Sequence, residues 1–439
     1  MISLKSRVKE LALFSIPIIA GQIGQMFFGI GDIMVAGRYS NEVVSALGVA
    51  TGILAPFIMV GLGITYAVSA IAAQRRGQNQ ELKDLVGSSI MAAHICGAAL
   101  LFILSVFIFN LDLLNLPDAI AGKVQTYLIY AGPSIFPIMI FQVFKEYLQA
   151  YDDTYYANGT ILAFNIFNIL LNIVLMFGFG PIPELGIKGA AIATLISRSL
   201  MALVILKYTL KKHPFDKVWS KPTLKSVINL GIPISLSTLI EVSLFSVVTV
   251  LVGKMSITAS ASHNIVLNLA SLTFMVPLAL ASSASVKIGG SYGKNDPKEL
   301  LQYTLAAEIL SVGFMISTAL CYFFIPGILL RFATDDPELL KYGAGMLVFV
   351  AAFQIPDGIQ VTMSGILRGM GVTKEVMFFA LISNWAIGLP VGHYFAVTKG
   401  MEAAGYWAGL ASGLTVMCFF LVCVFLLKYK KFKEEGPKS

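Results

Sequence analysis

Charged residues are scarce in this chain. Asp, Glu, Lys and Arg make up 13% of its 439 residues, whereas soluble domains carry about 25%. Apolar side chains account for 57% of the sequence. This composition excludes an ordinary soluble domain and predicts an all-α membrane protein that crosses the bilayer several times.

Cysteine is also scarce, and the sequence motifs of enzymes are missing. The four cysteines lie inside apolar segments without metal-ligand spacing, so we expect free, buried thiols. They are Cys96, Cys321, Cys418 and Cys423. The sequence has no GxxxxGK(S/T) phosphate-binding loop, catalytic triad or metal-ligand cluster. We therefore expect a protein that is not an enzyme, binds no cofactor and is not driven directly by ATP.

Twelve apolar stretches are candidates to cross the bilayer, and most exceed the ~20 residues that a helix needs. They lie near 11–36, 44–73, 85–109, 124–148, 157–180, 186–206, 226–252, 264–288, 303–329, 342–366, 375–397 and 403–427. The first stretch follows basic residues but precedes no small-residue cleavage site. We therefore expect it to be a helix of the mature protein and not a signal peptide.

The positions of the basic residues predict the topology. Most of the 31 Lys and Arg residues fall in one set of alternate loops, which includes both termini and the long loop at 207–225. The positive-inside rule places these segments in the cytoplasm, and two termini on one side require an even number of helices. The net charge of +7 is therefore attributed to topology, and no nucleic-acid partner is expected.

The chain repeats itself at a nearly constant offset. Pro17 matches Pro233 and Gly77 matches Gly293 at a shift of 216, and Pro137 matches Pro356 at a shift of 219. Six helices per repeat is an even number, so the two repeats are parallel. The predicted domains are a six-helix lobe at 1–206, a cytoplasmic linker at 207–225 and a second six-helix lobe with a basic tail at 226–439.

Three carboxylates lie deep inside apolar stretches: Asp32, Glu241 and Asp357. Placing such a charge at the centre of a bilayer costs about 2.5–3.5 kcal/mol on translocon-insertion scales. The repeat partners are Val248, Gln25 and Ile138 respectively, so each repeat keeps a different acidic position on the same scaffold. Basic residues are nearly absent from these stretches, which favours a path for cations over a structural role.

Amide side chains form a second polar pattern. Asn165, Asn168 and Asn172 are spaced by three and four residues, so they lie on one face of the fifth helix. Thr194 on the next helix could add an oxygen, and Gln25 shares a helix face with Asp32. These groups are either cation ligands or hydrogen-bonding contacts between helices, and the sequence leaves both roles open.

The remaining charged residues are interpreted as structural. We expect Glu308 to be solvated near the start of the ninth helix. Lys145, Glu146 and Arg368 are expected to extend their charged ends to the cytoplasmic face. Arg198, inside the sixth helix, is interpreted as the structural partner of a nearby acid.

These features resemble the multidrug and toxic compound extrusion (MATE) family, and within it the NorM-like bacterial branch. The resemblance covers essentially the whole chain. It rests on four motifs: Pro17, Asp32 and Gly37; Pro233, Glu241 and Gly253; Gln354–Asp357 with Gly365–Gly369; and Leu185–Ala191.

The resemblance implies a V-shaped two-lobe antiporter that exports amphipathic organic cations in exchange for Na⁺ or H⁺. In the NorM-like branch the acids matching Glu241 and Asp357 form the cation site of the C-terminal lobe. Other branches use the acid matching Asp32 with polar residues that here correspond to Asn168, Asn172 and Thr194, and Gln25 and Asn165 are possible cavity residues. Some relatives have Tyr at the position of Phe353, and some have Asp at that of Asn172.

The resemblance also implies a monomer in the cell membrane, with no metal beyond transported Na⁺. The alternative is a flippase for lipid-linked precursors, from the same superfamily. Its anionic pyrophosphate substrates would require basic cavity residues, for which Arg198 is the candidate in this sequence.

Overall fold

A computed structural model describes residues 3–216 and 218–435 of the chain. Lys217 and Lys438, two of the basic residues used for the topology, lie outside these residues. Within the described ranges the chain is almost entirely helical, and its one β-type pairing is the isolated bridge between Phe179 and Ile182.

Twelve helices among the described residues are long and apolar enough to cross a membrane. We label them α1 to α12 in chain order: Leu4–Ala36, Asn41–Gly77, Leu85–Phe109, Asp118–Ala150, Tyr155–Phe177, Gly186–Lys212, Lys221–Gly253, Ile257–Gly293, Pro297–Phe324, Pro337–Gly369, Lys374–Thr398 and Glu402–Glu434. The predicted fold class and the predicted number of spanning helices are confirmed.

Several helices begin earlier than their apolar stretches because polar caps start them. Asp296 accepts hydrogen bonds from the backbone N–H groups of Lys298 and Glu299, both at 3.0 Å. Pro297 occupies the first helical position, where the backbone N–H that proline lacks would have no partner within the helix. The helix α9 therefore begins at Pro297, although its apolar stretch starts near 303.

Three spanning helices are irregular. Tyr66 interrupts α2, and a 3₁₀ turn at Gly132–Ser134 interrupts α4. The helix α11 contains π-helical segments at Ile382–Gly388 and Tyr394–Thr398. Such segments widen a helix locally, and the hydrophobic pattern does not predict them.

Small residues set the contact between α11 and α12. Gly388 and Gly392 on α11 are four residues apart, as are Gly409 and Gly413 on α12. A Cβ atom added to Gly409 would overlap the backbone of Gly392, and one added to Gly413 would meet Gly388 Cα at 3.0 Å. The two helices thus contact each other through facing GxxxG motifs, which allow backbones to approach closely.

The chain packs as two compact units. Unit 1 comprises Met1–Ile19, Ala73–Gln80 and Leu236–Ser439, and unit 2 comprises Ala20–Ala72 and Glu81–Ser235. The predicted domains follow the sequence repeat, whereas these units follow packing. As a result, the first part of α1 belongs to unit 1 and the rest to unit 2. The first part of α7, up to Ser235, belongs to unit 2, and the rest belongs to unit 1.

The repeat is visible in local structure. Ser40 caps α2 by accepting from Val43 N–H at 3.2 Å, and Ser256, 216 residues later, caps α8 by accepting from Ala259 N–H at 3.0 Å. Within unit 1, a Cβ added to Gly77 would overlap the backbone at Gly290, and one added to Gly293 would overlap that at Gln74. Gly77 and Gly293, which the repeat makes equivalent, therefore lie in one close helix contact.

Three charged residues differ from the sequence prediction. Lys145 and Glu146 are buried, because their end of α4 packs among α2, α3 and α6. Gln142 donates to Glu146 at 2.8 Å. Arg368 is half-buried and donates to Ser285 Oγ at 3.2 Å. The expectation that these side chains extend to the surface was wrong.

The cysteine prediction is confirmed in one respect only. The four thiols are free, but Cys321 is exposed and the other three are half-buried. An apolar helix face that is exposed here faces lipid in a bilayer, so an apolar segment does not by itself predict a buried thiol.

Candidate cation-binding sites

Asp32 is the centre of a polar cluster in unit 2. Its side chain is 3% exposed and lies in the spanning part of α1. Asn172 Nδ2 of α5 donates a hydrogen bond to Asp32 Oδ1, and Thr194 Oγ1 of α6 donates to Asp32 Oδ2 at 3.3 Å. The structure thus brings together three side chains that the sequence had placed on three helices.

The asparagine stripe of α5 has a mixed role. Asn172 Nδ2 also donates to Asn168 Oδ1 at 3.2 Å, so Asn168 supports Asp32 through Asn172. Asn165 instead donates to the backbone oxygen of Gly24 at 2.7 Å and joins α5 to α1. The side-chain oxygens of Asn165 and Asn172 are buried and accept no hydrogen bond from the described residues. Part of the stripe therefore joins helices, and part of it offers oxygens without a partner.

The cluster contains two further residues: Arg198, which the sequence analysis interpreted as the structural partner of a nearby acid, and Tyr127, which it did not select. Arg198 donates to Ser134 Oγ at 2.7 Å and lies within electrostatic reach of Asp32. Tyr127 is buried and interacts with Asp32, Thr194 and Arg198. Arg198 follows Thr194 by four residues, so helical spacing could have placed it on the same face. Nothing in the sequence marks Tyr127.

Gln25 does not join the Asp32 cluster. Its amide nitrogen is buried and has no hydrogen-bond partner among the described residues. The spacing of seven residues still places Gln25 on the same face of α1 as Asp32.

Glu241 and Asp357 form the second cluster, which lies in unit 1. Asp357 is 6% exposed, Glu241 is half-buried, and the two carboxylates lie within electrostatic reach of each other. Gln360 Nε2 donates to Glu241 Oε1 at 2.9 Å. Among the described residues, neither acid forms an ion pair. Gln360 follows Asp357 by three residues on α10, a spacing that could have identified it.

Gln354 is a second amide that sequence reasoning did not select. It is fully buried on α10, and its Nε2 donates to Thr273 Oγ1 and Thr318 Oγ1, both at 3.0 Å. Its Oε1 is buried and has no partner among the described residues. Gln354 precedes Asp357 by three residues, which places both on one side of α10.

Phe353 is a core residue of unit 1. Its ring packs edge-on against Trp407 with centroids 5.5 Å apart, and also contacts Phe245. The position that some relatives give to a tyrosine hydroxyl is therefore filled by an aromatic packing contact.

Glu308 is not solvated, contrary to the expectation. Both of its carboxylate oxygens are sealed from solvent and lack a hydrogen-bond partner among the described residues. The expectation was wrong because α9 starts at Pro297, so Glu308 lies about three turns inside the helix.

The two clusters differ in the chemistry that they can perform. The Asp32 carboxylate is held by two donors beside a guanidinium, whereas the two acids of unit 1 lie together without a basic partner among the described residues. Among residues 3–216 and 218–435, no group of three or more His, Cys, Asp or Glu side chains could hold a resident metal. A bound cation or proton would relieve the repulsion between the two acids of the unit 1 pair.

Known families and proteins resemble this chain along its length. The MatE family model matches residues 17–177 and 233–393. The two matched stretches begin 216 residues apart, the offset found within the sequence.

Curated relatives cover nearly the whole chain. The chain is 29% identical over 428 residues to the "probable multidrug resistance protein NorM" of Acinetobacter baylyi, covering 94% of this chain and 95% of that protein. It is 28% identical over 438 residues to the protein of the same name from Photorhabdus laumondii, covering 96% of each.

Solved structures share the fold. The eukaryotic MATE transporter AtDTX14 superposes with a TM-score of 0.87 at 19% identity, covering 98% of this chain and 99% of that one. The Vibrio cholerae MATE transporter VcmN in its bent form gives 0.87 at 19% identity, covering 98% of each chain.

Proposed function

The chain belongs to the MatE family, and on that premise we propose that it is a secondary active antiporter for multidrug efflux. It exports amphipathic organic cations in exchange for Na⁺, with H⁺ as the alternative coupling ion. We further propose that it works as a monomer in the cell membrane, with both termini in the cytoplasm and no nucleic-acid partner.

The observation that carries this proposal is the pair of acids in unit 1. Two carboxylates within electrostatic reach repel each other when both are ionised, and no basic side chain among the described residues compensates them. Binding of Na⁺ or a proton relieves this repulsion. An organic cation relieves it as well, so the two ligands compete for the same charge, and this competition couples their movements.

Neutral oxygens near the pair support Na⁺ as the coupling ion. Na⁺, like other hard cations, prefers several oxygen ligands from carboxylates, amides and carbonyls. The unpartnered Oε1 of Gln354 lies on the side of α10 that carries Asp357, and Gln360 already contacts Glu241. A proton would need one carboxylate oxygen only.

Asp32 is proposed as a second binding position for Na⁺ or a proton. Its carboxylate already accepts from Asn172 and Thr194 and lies near Arg198. These contacts stabilise its charge without an added ion, so we assign the primary coupling step to Glu241 and Asp357.

The flippase alternative receives no support from the basic residue on which it depends. Arg198 donates to Ser134 and lies beside Asp32. A guanidinium held in this way does not provide a basic surface for a pyrophosphate.

Ethidium export from efflux-deficient cells tests the proposal. An imposed Na⁺ gradient and an imposed pH gradient are applied separately to wild type, Asp32→Asn, Glu241→Gln and Asp357→Asn. We expect Na⁺-driven export in wild type and its loss, by tenfold or more, in the two unit 1 variants.

Exposed acids provide matched controls. Asp112→Asn and Glu338→Gln make the same chemical changes outside both clusters and should export like wild type, at equal amounts in the membrane. Normal export by both Glu241→Gln and Asp357→Asn would contradict the proposal. Export driven by pH and lost only in Asp32→Asn would move the coupling site to unit 2.

A further inference from the structure

Glu308 is an ionisable group inside the spanning region that the proposed coupling step does not use. It lies on α9 in unit 1, and both of its carboxylate oxygens are sealed and unpartnered among the described residues. An isolated charge in such a place is very costly, and a buried acid without partners takes up a proton instead. These surroundings favour the neutral acid over the carboxylate.

Apolar side chains surround this part of α9. Ala307 and Leu310 belong to, or pack against, a hydrophobic cluster that also contains Met363 of α10 and Met417 of α12. The Cys418 thiol of α12 interacts electrostatically with Glu308. A thiol supplies neither a charge nor a strong hydrogen bond to an acid.

Two basic groups of the neighbouring helices, Lys287 and Arg368, are engaged elsewhere. Lys287 of α8 forms an ion pair with Glu10 at 3.2 Å, and Arg368 of α10 donates to Ser285 and to the Ala281 carbonyl. On α9 itself, Tyr303 donates to Glu10 at 2.8 Å. The acid on α10, Asp357, has the same charge sign as Glu308.

Helical spacing connects Glu308 with the coupling pair. Glu308, Ser311 and Met315 lie on one stripe of α9, because they are separated by three, four and seven residues. Ser311 Oγ donates to the Gly358 carbonyl at 3.0 Å, and the Met315 side chain also meets Gly358. Glu308 therefore lies about 4.5 Å further along α9, in the predicted cytoplasmic direction, from the contact beside Asp357.

The fold does not require an acid at this position. The repeat partner of Glu308, at the offset of 216, is Ala92 of α3, which is fully buried. A small apolar residue thus fills the equivalent place in the other repeat. An intramembrane acid that packing does not need is a candidate for function.

We propose that Glu308 is a proton-binding site of unit 1, separate from Glu241 and Asp357, that exchanges its proton during the transport cycle. The proton is held while α9 and α10 are in contact at Gly358 and is released when this contact opens. This inference rests on the proposed antiport function, because the proton can pass to water only if the transport cycle opens this contact.

Infrared difference spectroscopy of the full-length protein in bilayers tests the proposal. The measured quantity is the carbonyl stretching band of a protonated carboxylic acid. Wild type and Glu338→Gln should show a band that Glu308→Gln lacks. Saturating ethidium should reduce that band by half or more, since substrate binding starts the cycle. Should the Gln variant not fold, Glu308→Ala, with the residue that the other repeat has there, provides the same subtraction.

Two results would overturn the proposal. Absence of a band specific to Glu308 would show that the side chain is ionised. A band unaffected by ethidium, together with wild-type export by Glu308→Gln, would show a permanently protonated structural acid. Failure of wild type to export ethidium under either gradient would instead contradict the proposed function, while the Glu308-specific band would still report the protonation state.

Discussion

Asn172 makes two of the hydrogen bonds within the Asp32 cluster. One amide nitrogen donates to the Asp32 carboxylate and to the Asn168 oxygen. The bond to Asp32 joins α5 to α1 within unit 2, and both side chains are buried. The residue therefore matters for stability as well as for the charge state of the cluster.

Replacement of this amide should destabilise the protein. Asn172→Ala leaves buried acceptors on Asp32 and Asn168 unpaired, and we expect the free energy of unfolding to fall by about 1–3 kcal/mol. Reversible denaturant unfolding measures this change. The control is Asn110→Ala, since Asn110 is exposed and donates locally to Val106 O at 2.7 Å; we expect a change within about 0.5 kcal/mol. An equal loss of unfolding free energy in Asn172→Ala and Asn110→Ala would contradict a special role for Asn172.

The sequence predicts the buried acids better than their neighbours. Asp32, Glu241 and Asp357 stand out because a charge in an apolar stretch is costly and therefore rare. Tyr127 does not stand out, because an aromatic residue in a membrane helix commonly faces lipid or core. Glu308 was misassigned for a different reason: the Asp296 cap starts α9 before the apolar stretch begins, which moves the acid from a helix end to the interior.

Helix contacts in this protein depend on where glycine is placed. The facing glycines of α11 and α12 allow backbone contact, whereas other glycines, such as Gly313 on α9, have open space around the position of a Cβ. The structure therefore predicts opposite effects for the same substitution at two helical glycines of unit 1.

Gly409→Ala and Gly313→Ala form a matched pair. The Cβ of the first would overlap the Gly392 backbone, and forced displacement of this kind costs about 1–3 kcal/mol. The second adds helix propensity without a clash and should stabilise by about 0.4–1 kcal/mol. Thermal unfolding of the two purified variants shows whether each is more or less stable than wild type. Stabilisation by Gly409→Ala would show that the two helices are not in backbone contact.

Helix number and type could be predicted at this scale, but helix ends and irregularities could not. Long apolar stretches identify spanning helices reliably. The charged first turns of α9 and α10 fall outside those stretches, although the Asp296 and Asp336 caps make them helical. The π-helical segments of α11 are not marked by the hydrophobic pattern of the sequence.

The two packing units cut across the two repeats of the sequence. Residues 4–19 of the first repeat pack in unit 1, and residues 226–235 of the second pack in unit 2. Sequence repeats record how a chain was duplicated, and only the folded structure shows which copies of an element pack together. The boundary predicted at 207–225 follows the sequence repeat, whereas the packing units divide the chain elsewhere.

Na⁺ should stabilise the folded chain as a whole. A ligand that binds the native state alone raises the free energy of unfolding by RT ln(1 + [L]/Kd), about 2.7 kcal/mol at one hundred times Kd. We expect the Tm of wild type to rise with NaCl relative to equal KCl, and Asp357→Asn to lose the difference. Glu338→Gln should keep it. An equal Na⁺ effect in Asp357→Asn would place the bound ion elsewhere.

Gly77 and Gly293 lie in one close contact although they are copies of one ancestral position. A site meets its own copy only where a two-fold axis passes, as in an isologous dimer interface. In a two-fold symmetric pair of identical halves, this glycine would meet its own copy across the axis. A side chain added there would clash with its twin, and in this protein each position can vary only as far as the other allows.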